Sequence, residues 1–370
     1  MHFATTLAAL LAVSTICGGS HIRVARATMT DLASGASFAR DAMQRPESLL
    51  SAANIEPSVD DETDTERLVA KSHELTNLTA IGSAPFVLHA SLFFNDPSGD
   101  PRVPPARGSY AFTWQSADKW REDAELLHLK QTEIANGNTL WTKRNAPFPS
   151  FSYWWTHNAM EITRGVVYHF DSLTRIEIAQ VNGRNVVCAR NGGVHLTQEL
   201  CLDTRTGLPL LQYDSTLHLQ YVFGDWAQWG NHWYPRSIKG LSGTEAVMQI
   251  EIANIASAPA EAKWIAPPAE ATQREWCANM KPAQMSDAIQ NAALPNPNAP
   301  AGTTPIIGAI VYGVISKDGN WRDLSVLESS DFKAAFLMLD KLSAFRNQPA
   351  TCRGTPVQSE TIFRISPPPR

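Results

Sequence analysis

From position 86 to position 255 apolar and polar residues alternate with a period of two, the spacing of a strand with one buried face. Strands are predicted over 86–94, 108–114, 119–125, 129–134, 139–141, 175–180, 185–188, 199–203, 210–213, 219–223, 233–238 and 246–255. Turn residues separate them, among them Asp96-Pro-Ser-Gly99 and the hairpin pair Asn136-Gly137. Short strands at regular spacing predict one large, mostly antiparallel sheet. Helical spacing enters twice. Thr65 to Leu75 sets Leu68 and Leu75 on one side, and the aromatic run Phe148 to Trp155 breaks the β pattern and suits a helix reaching Met160.

The pattern resets after Pro305. Two β-type runs, Ile306 to Ser316 and Trp321 to Glu328, flank Asp318-Gly319, a strong hairpin signal. Phe332, Ala335, Phe336, Leu339 and Leu342 then fall at helical spacing, with Ser330 or Asp331 placed to cap. Thr355 to Ile365 reads as a closing strand, followed by Pro367-Pro-Pro369. The expected fold class is therefore α+β: a large antiparallel sheet with a few helices, then a small β-β-α-β unit.

Between them, residues 258–304 are punctuated by proline and predict a semi-rigid linker. Trp264, Trp276 and Cys277 lie inside it, so parts are expected to dock on a domain. At the other end, Ala4 to Cys17 is a short apolar run, and Ala25-Arg-Ala27 fits a cleavage site. Residues 1–27 are expected to be an export signal, and an uncleaved signal would tether the chain to the membrane. Residues 28–60 are compatible with a short helix or a loose tail. The expected units are thus 1–27, 28–60, 61–257, 258–304 and 305–370.

Composition changes little in this picture. A hydrophobic share of 44% and a charged share of 18% over 370 residues describe a globular chain of two or three domains. A net charge of −5, with no basic run, gives no footprint for nucleic acid. The histidines are scattered, and no metal-binding, phosphate-binding or nucleophile motif is present. Glu122 and Asp123 are adjacent, so they point to opposite faces of a strand. No residue supports an enzyme, and no cofactor or metal is expected.

Cysteine is informative. Of five cysteines, Cys17 falls in the signal, and four remain. An even count in an exported chain reads as disulfides, with three possible connectivities. Cys188 and Cys201 lie on consecutive predicted strands, which makes them the natural cross-strand pair. Elimination then pairs Cys277 with Cys352.

Two resemblances add expectations. Residues 311–319 (Val-Tyr-Gly-Val-Ile-Ser-Lys-Asp-Gly), Val326 to Ser330, Phe345, Pro349-Ala350, Gly354 to Val357 and Ile362 to Ile365 resemble the C-terminal domain of the TonB family of envelope proteins. The resemblance implies a periplasmic protein that binds an extended partner segment, such as part of an outer-membrane receptor, along its sheet edge. Val357, Gln358, Glu360, Ile362, Phe363, Arg364 and Ile365 would form that edge. The Tyr-Pro pair usual before the first strand is missing, as is the Trp usual before Phe345, so binding without energy transduction is expected. The region 86–255, with Asp118-Lys-Trp-Arg121 between strands, resembles the half-barrel of the LolA and LolB lipoprotein carriers. That implies an apolar cavity for a lipid or lipoprotein acyl chain, with Phe93, Phe112, Trp114, Trp141 and Trp154, beside Phe151 and Trp155, as candidate lining. The alternative is that these rings simply fill a core.

Overall fold

A computed structural model describes residues 61–95, 105–165, 168, 170, 172–192, 198–214, 219–259, 262–285, 309–329 and 332–365. The expected signal, the 28–60 segment, the 96–99 turn, the Ser330/Asp331 cap and the terminal prolines lie outside these residues.

The alternating stretches do form one sheet. Its strands are β1 (Phe86–Phe94), β2 (Ala106–Ser116), β3 (Lys119–Leu126), β4 (Leu129–Asn136), β5 (Thr139–Arg144), β6 (Arg175–Val181) and β7 (Arg184–Asn191). They continue with β8 (Gln198–Asp203), β9 (Pro209–Asp214), β10 (Leu219–Trp229), β11 (His232–Ser242), β12 (Glu245–Ser257) and β13 (Thr272–Glu275). The order across the 13-stranded sheet is β13-β5-β4-β3-β2-β1-β12-β11-β10-β9-β8-β7-β6. Neighbours in this order are consecutive in sequence except where β1 meets β12 and β5 meets β13. Every pairing within this sheet is antiparallel. Two helices, α1 (Asp61–Thr76) and α2 (Phe151–Met160), pack on one face, here called the inner face. Val69 of α1 and Tyr153, Ala159 and Met160 of α2 join Phe86, Leu88, Leu92, Tyr221 and Ile250 of the sheet in one core.

Register fixes what the inner face carries. One row across it, Ile250, Leu92, Gly108, Leu126 and Leu129, is apolar. The next row runs Ile252, Ala90, Tyr110, Ala124, Gln131 and Arg144. The third runs Ile255, Leu88, Phe112, Glu122, Glu133, Thr142 and Thr272. Polarity is therefore concentrated at the β3-β4-β5-β13 end, while the β12-β1-β2 end is hydrophobic.

The C-terminal unit contains β14 (Ala309–Ile315), β15 (Trp321–Ser329), α3 (Phe332–Ser343), β16 (Ala350–Cys352), β17 (Thr355–Val357) and β18 (Ser359–Ile365). Its main sheet has the order β15-β14-β18. The Asp-Gly hairpin is present: Gly319 takes a φ of 80°, and its amide donates to the Ser316 carbonyl at 2.9 Å. Gly313 is required for a different reason, since a Cβ there would come within 2.7 Å of the Trp321 ring. The expected closing strand 355–365 is two strands instead. Val357 ends β17, which pairs with β16, and β18 starts at Ser359 beside β14. The α3 stripe also differs. Phe332, Ala335, Met338 and Leu342 are buried, whereas Phe336 is 52% exposed. Both patterns satisfy helical spacing, and the β15 surface selects the one centred on Ala335 and Met338.

The stretch expected to be a linker is partly built into the fold. Residues Ala262–Ile265 form a short 3-10 turn, and β13 becomes the edge strand beside β5. Lys281 and Gln284 then bridge to Thr351 and Gln348 of the C-terminal unit. Both expected disulfides are present, Cys188–Cys201 and Cys277–Cys352. No helix among the described residues is long and apolar enough to cross a membrane.

Candidate functional site: a buried polar seam under helix α2

Helix α2 starts where Ser150 caps it, its hydroxyl accepting from the Tyr153 amide at 3.3 Å. Helical spacing then sets Tyr153 and His157 one turn apart on the same side, with their rings stacked at 5.8 Å. Both reach Glu122 on β3. The Tyr153 hydroxyl donates to the carboxylate at 2.9 Å, and His157 Nδ1 lies 3.6 Å from it. Tyr110 from β2 donates at 3.0 Å, and so does Arg164, which follows α2. The Arg164 guanidinium also lies over the Phe112 ring, 4.5 Å from its centroid.

Glu122 has a side chain only 2% exposed, so burial alone would raise its pKa. The charges of His157 and Arg164, with the Tyr153 hydrogen bond, overrule burial and hold it at about 2. Burial lowers His157, but Glu122 outweighs that and raises its pKa. Burial and the Glu122 charge push both tyrosines well above their ordinary range.

Glu133 stands directly opposite Glu122 across β3 and β4. Its surroundings act the other way. Burial, with the charges of Glu360 and Glu122, raises its pKa against the pull of Arg274 and Arg144. Thr142 donates to it at 3.2 Å, and Arg274 lies at 3.5 Å. The two arginines are shared with the C-terminal unit. Glu360 on β18 receives Arg274 at 2.6 Å and Arg144 at 2.8 Å. Arg144 also approaches the Tyr312 hydroxyl at 3.4 Å, and the Phe148 ring lies 6.2 Å from that of Tyr312. Burial disfavours ionised Glu360, but Arg274 and Arg144 prevail and lower its pKa.

Chemically, Glu122 is a fixed anion that accepts hydrogen bonds. Glu133 is the carboxyl more easily protonated. The described residues bring no serine or thiol nucleophile to this pair. A second acidic and sulfur cluster, Cys188, Glu199 and Cys201, sits elsewhere in the sheet, but its two sulfurs are bonded to each other and Glu199 pairs with Arg190 at 2.5 Å. It offers no thiolate to a metal.

Of the residues expected to line a cavity, Phe112, Trp114, Trp154 and Trp155 share one core cluster, whereas Phe93 and Trp141 lie apart from it. Phe112 and Trp114 are 3% and 5% exposed in the core under α2, and Trp154 is half-buried on α2. Phe93 points to the opposite face, beneath Arg107, because it alternates with buried Leu92. Trp141 shares that outer face with Arg121, which donates to the Trp264 carbonyl at 3.0 Å. Phe151 and Trp155 are half-buried, their rings 4.9 Å apart.

The expected partner edge is also divided. β18 has β14 on one side and no strand on the other among the described residues. Ile362, Arg364 and Ile365 lie on it, and Gln358 falls in the gap before it. Phe363 is buried, stacked on Trp321 at 4.9 Å, and Val357 is buried as well. Glu360 is held in the arginine clamp and so is not an outward side chain that could set a partner's register.

Residue spacing alone does not reveal the seam. Glu122 and Asp123 do face opposite sides, Asp123 bonding Arg121 and Thr132. The partner that matters to Glu122 is eleven positions away, and only the Leu126–Leu129 turn register reveals it. Glu133, two positions from Gln131 in the strand predicted over 129–134, is the one signal that the sequence holds.

Several buried polar atoms on α2 and on the inner face of the sheet find no hydrogen-bond partner: the indole nitrogens of Trp154 and Trp155 and the Asn158 Oδ1 on the helix, and both amide atoms of Gln131 on β4.

No protein family profile matches the chain, and no curated protein matches it by sequence. Among solved structures it is similar to a LolA superfamily protein from Nitrosomonas europaea, at 8% identity, over 54% of this chain and 96% of that one, with a TM-score of 0.34.

Proposed function

We propose that the protein is a carrier that shelters an apolar chain, such as the acyl chain of a lipid or lipoprotein, between the inner face of the large sheet and helix α2. One observation carries the reading. Closed onto the sheet, α2 leaves two indole N–H groups and an amide oxygen buried and unpaired. Each such group costs about 1–3 kcal/mol, and native cores leave few of them. A helix that merely completes a core has no use for that cost. A lid that exchanges positions does, because the groups are hydrated when it lifts. The half-buried rings of Phe151, Trp154 and Trp155 supply apolar contact for a ligand on the same helix. The two disulfides suit an oxidising compartment, as in the periplasm. Lipid extraction and mass spectrometry of the purified protein, with titration of a fluorescent fatty acid, tests the reading. Stoichiometric acyl ligand supports it, and failure to bind any acyl probe overturns it.

A second reading, binding of an extended envelope protein segment, rests on the side of β18 that pairs with no strand among the described residues. Photocrosslinking from position 362 in envelope extracts tests it. A discrete adduct supports it, and none rejects it. No enzymatic role is proposed.

A further inference from the structure

Gln131 is 2% exposed, yet neither its Oε1 nor its Nε2 has a hydrogen-bond partner. Its cross-strand neighbour on the inner face is Arg144, whose side chain is 10% exposed and whose Nε is also unpaired. The other two guanidinium nitrogens of Arg144 are already engaged by Tyr312 and Glu360. One row therefore holds an unused acceptor and two unused donor groups side by side. Natural interiors satisfy such groups with water or a ligand.

The surrounding charges decide what kind of ligand. Arg144 and Arg274 face Glu133 and Glu360, so the formal charges cancel and neither an anion nor a cation gains net attraction. The missing partner is a neutral group. It needs a carbonyl oxygen to accept from Arg144 Nε and, on the opposite side of a trans amide, an N–H to donate to Gln131 Oε1. An amide has both. An ester has only the carbonyl and leaves Gln131 Oε1 unpaired in a dry site, which is the arrangement that discriminates most strongly between ligands. The row adjacent to Gln131 is the apolar one, ending in Leu126 and Leu129. A hydrocarbon chain attached to the amide would lie along that row.

Resting on the carrier reading above, we infer that Gln131 and Arg144 form a head-group site that selects amide-linked over ester-linked acyl chains. The test uses the full disulfide-bonded chain and two probes, N-hydroxyethyl hexadecanamide and hydroxyethyl hexadecanoate, titrated by calorimetry. The wild type should bind the amide about tenfold more tightly, the worth of one hydrogen bond that the ester leaves unmade. Gln131→Leu should bind the two probes equally, because the acceptor that tells them apart is gone, and its apo form should melt higher, since an unpaired polar group has been removed. Equal binding of the two probes by the wild type overturns the inference and leaves the carrier reading standing. Binding of neither overturns both. A ligand-bound crystal structure in which water alone contacts Gln131 also overturns the inference.

Discussion

Glu122 and Glu133 face each other across adjacent strands on the buried side of the sheet, and their surroundings displace their pKa values in opposite directions. Like charges directly opposite destabilise a sheet. Here each carboxyl faces a cation, Arg164 for Glu122 and, for Glu133, the Arg274 that it shares with Glu360. Removing Glu122 strands Arg164 over two aromatic rings and frees both tyrosine hydroxyls. Glu122→Ala should cost about 3–5 kcal/mol, the loss expected when one partner of a buried ion pair is deleted. Glu133→Gln should cost less, because it also removes the like charge. Urea denaturation of both variants checks the order.

Acid should weaken the fold in a defined window. The Glu122 pKa is lowered from 4.5 to about 2, so its contribution is complete above about pH 4.5 and is lost as pH falls towards 2. Glu122→Gln should flatten this part of the stability profile, measured by denaturant midpoints at successive pH values.

His157 works at the other end. Its pKa is raised above 6.5 in the folded protein, so its attraction to Glu122 is complete below about pH 6.5 and fades as pH rises through the folded value. Melting temperatures of the wild type should fall from pH 6 to pH 9 more than those of His157→Gln.

The two disulfides should differ in worth. Cys188 and Cys201 are 13 residues apart, and Cys277 and Cys352 are 75 apart. Loop-closure entropy gives about 3 kcal/mol for the first and about 4 kcal/mol for the second. Paired Cys→Ser replacement at 277 and 352 should therefore lower the unfolding midpoint more than the same change at 188 and 201.

Glu360→Ala should leave Arg144 and Arg274 buried without their closest anion. A loss of about 3–5 kcal/mol is expected, and Arg274→Met in the same chain should recover part of it, since a hydrophobic isostere tolerates burial. A double-mutant cycle by chemical denaturation reads the coupling.

The strands are legible in the sequence because a period of two survives wherever one face is buried, as in Phe86 to Phe94. The same alternation sets Phe93 away from the core, a consequence of period two that grouping aromatic residues by type obscures. Helix α2 is legible as an interruption. The seam is not, because Glu122 and Glu133 meet through register, and Glu360 meets Arg144 across 216 positions. Nor does the proline-rich composition of 258–304 show that β13 finds an unpaired strand edge at β5. Cross-strand pairing of Cys188 with Cys201 is legible because two consecutive strands leave little choice.

Strand β14 is buried along its whole length, with Val311 in the α3 core and Tyr312 turned to the Arg144 side chain. A proline-rich connection therefore does not mark a place where this protein can be cut. Truncation before residue 309 would strip two guanidinium groups of their nearest carboxylate and leave Cys277 with a free thiol. The part that looks like a separate module in the sequence is a wall of the same building, and the large sheet prepared alone would be a poor stand-in for the protein in any binding assay.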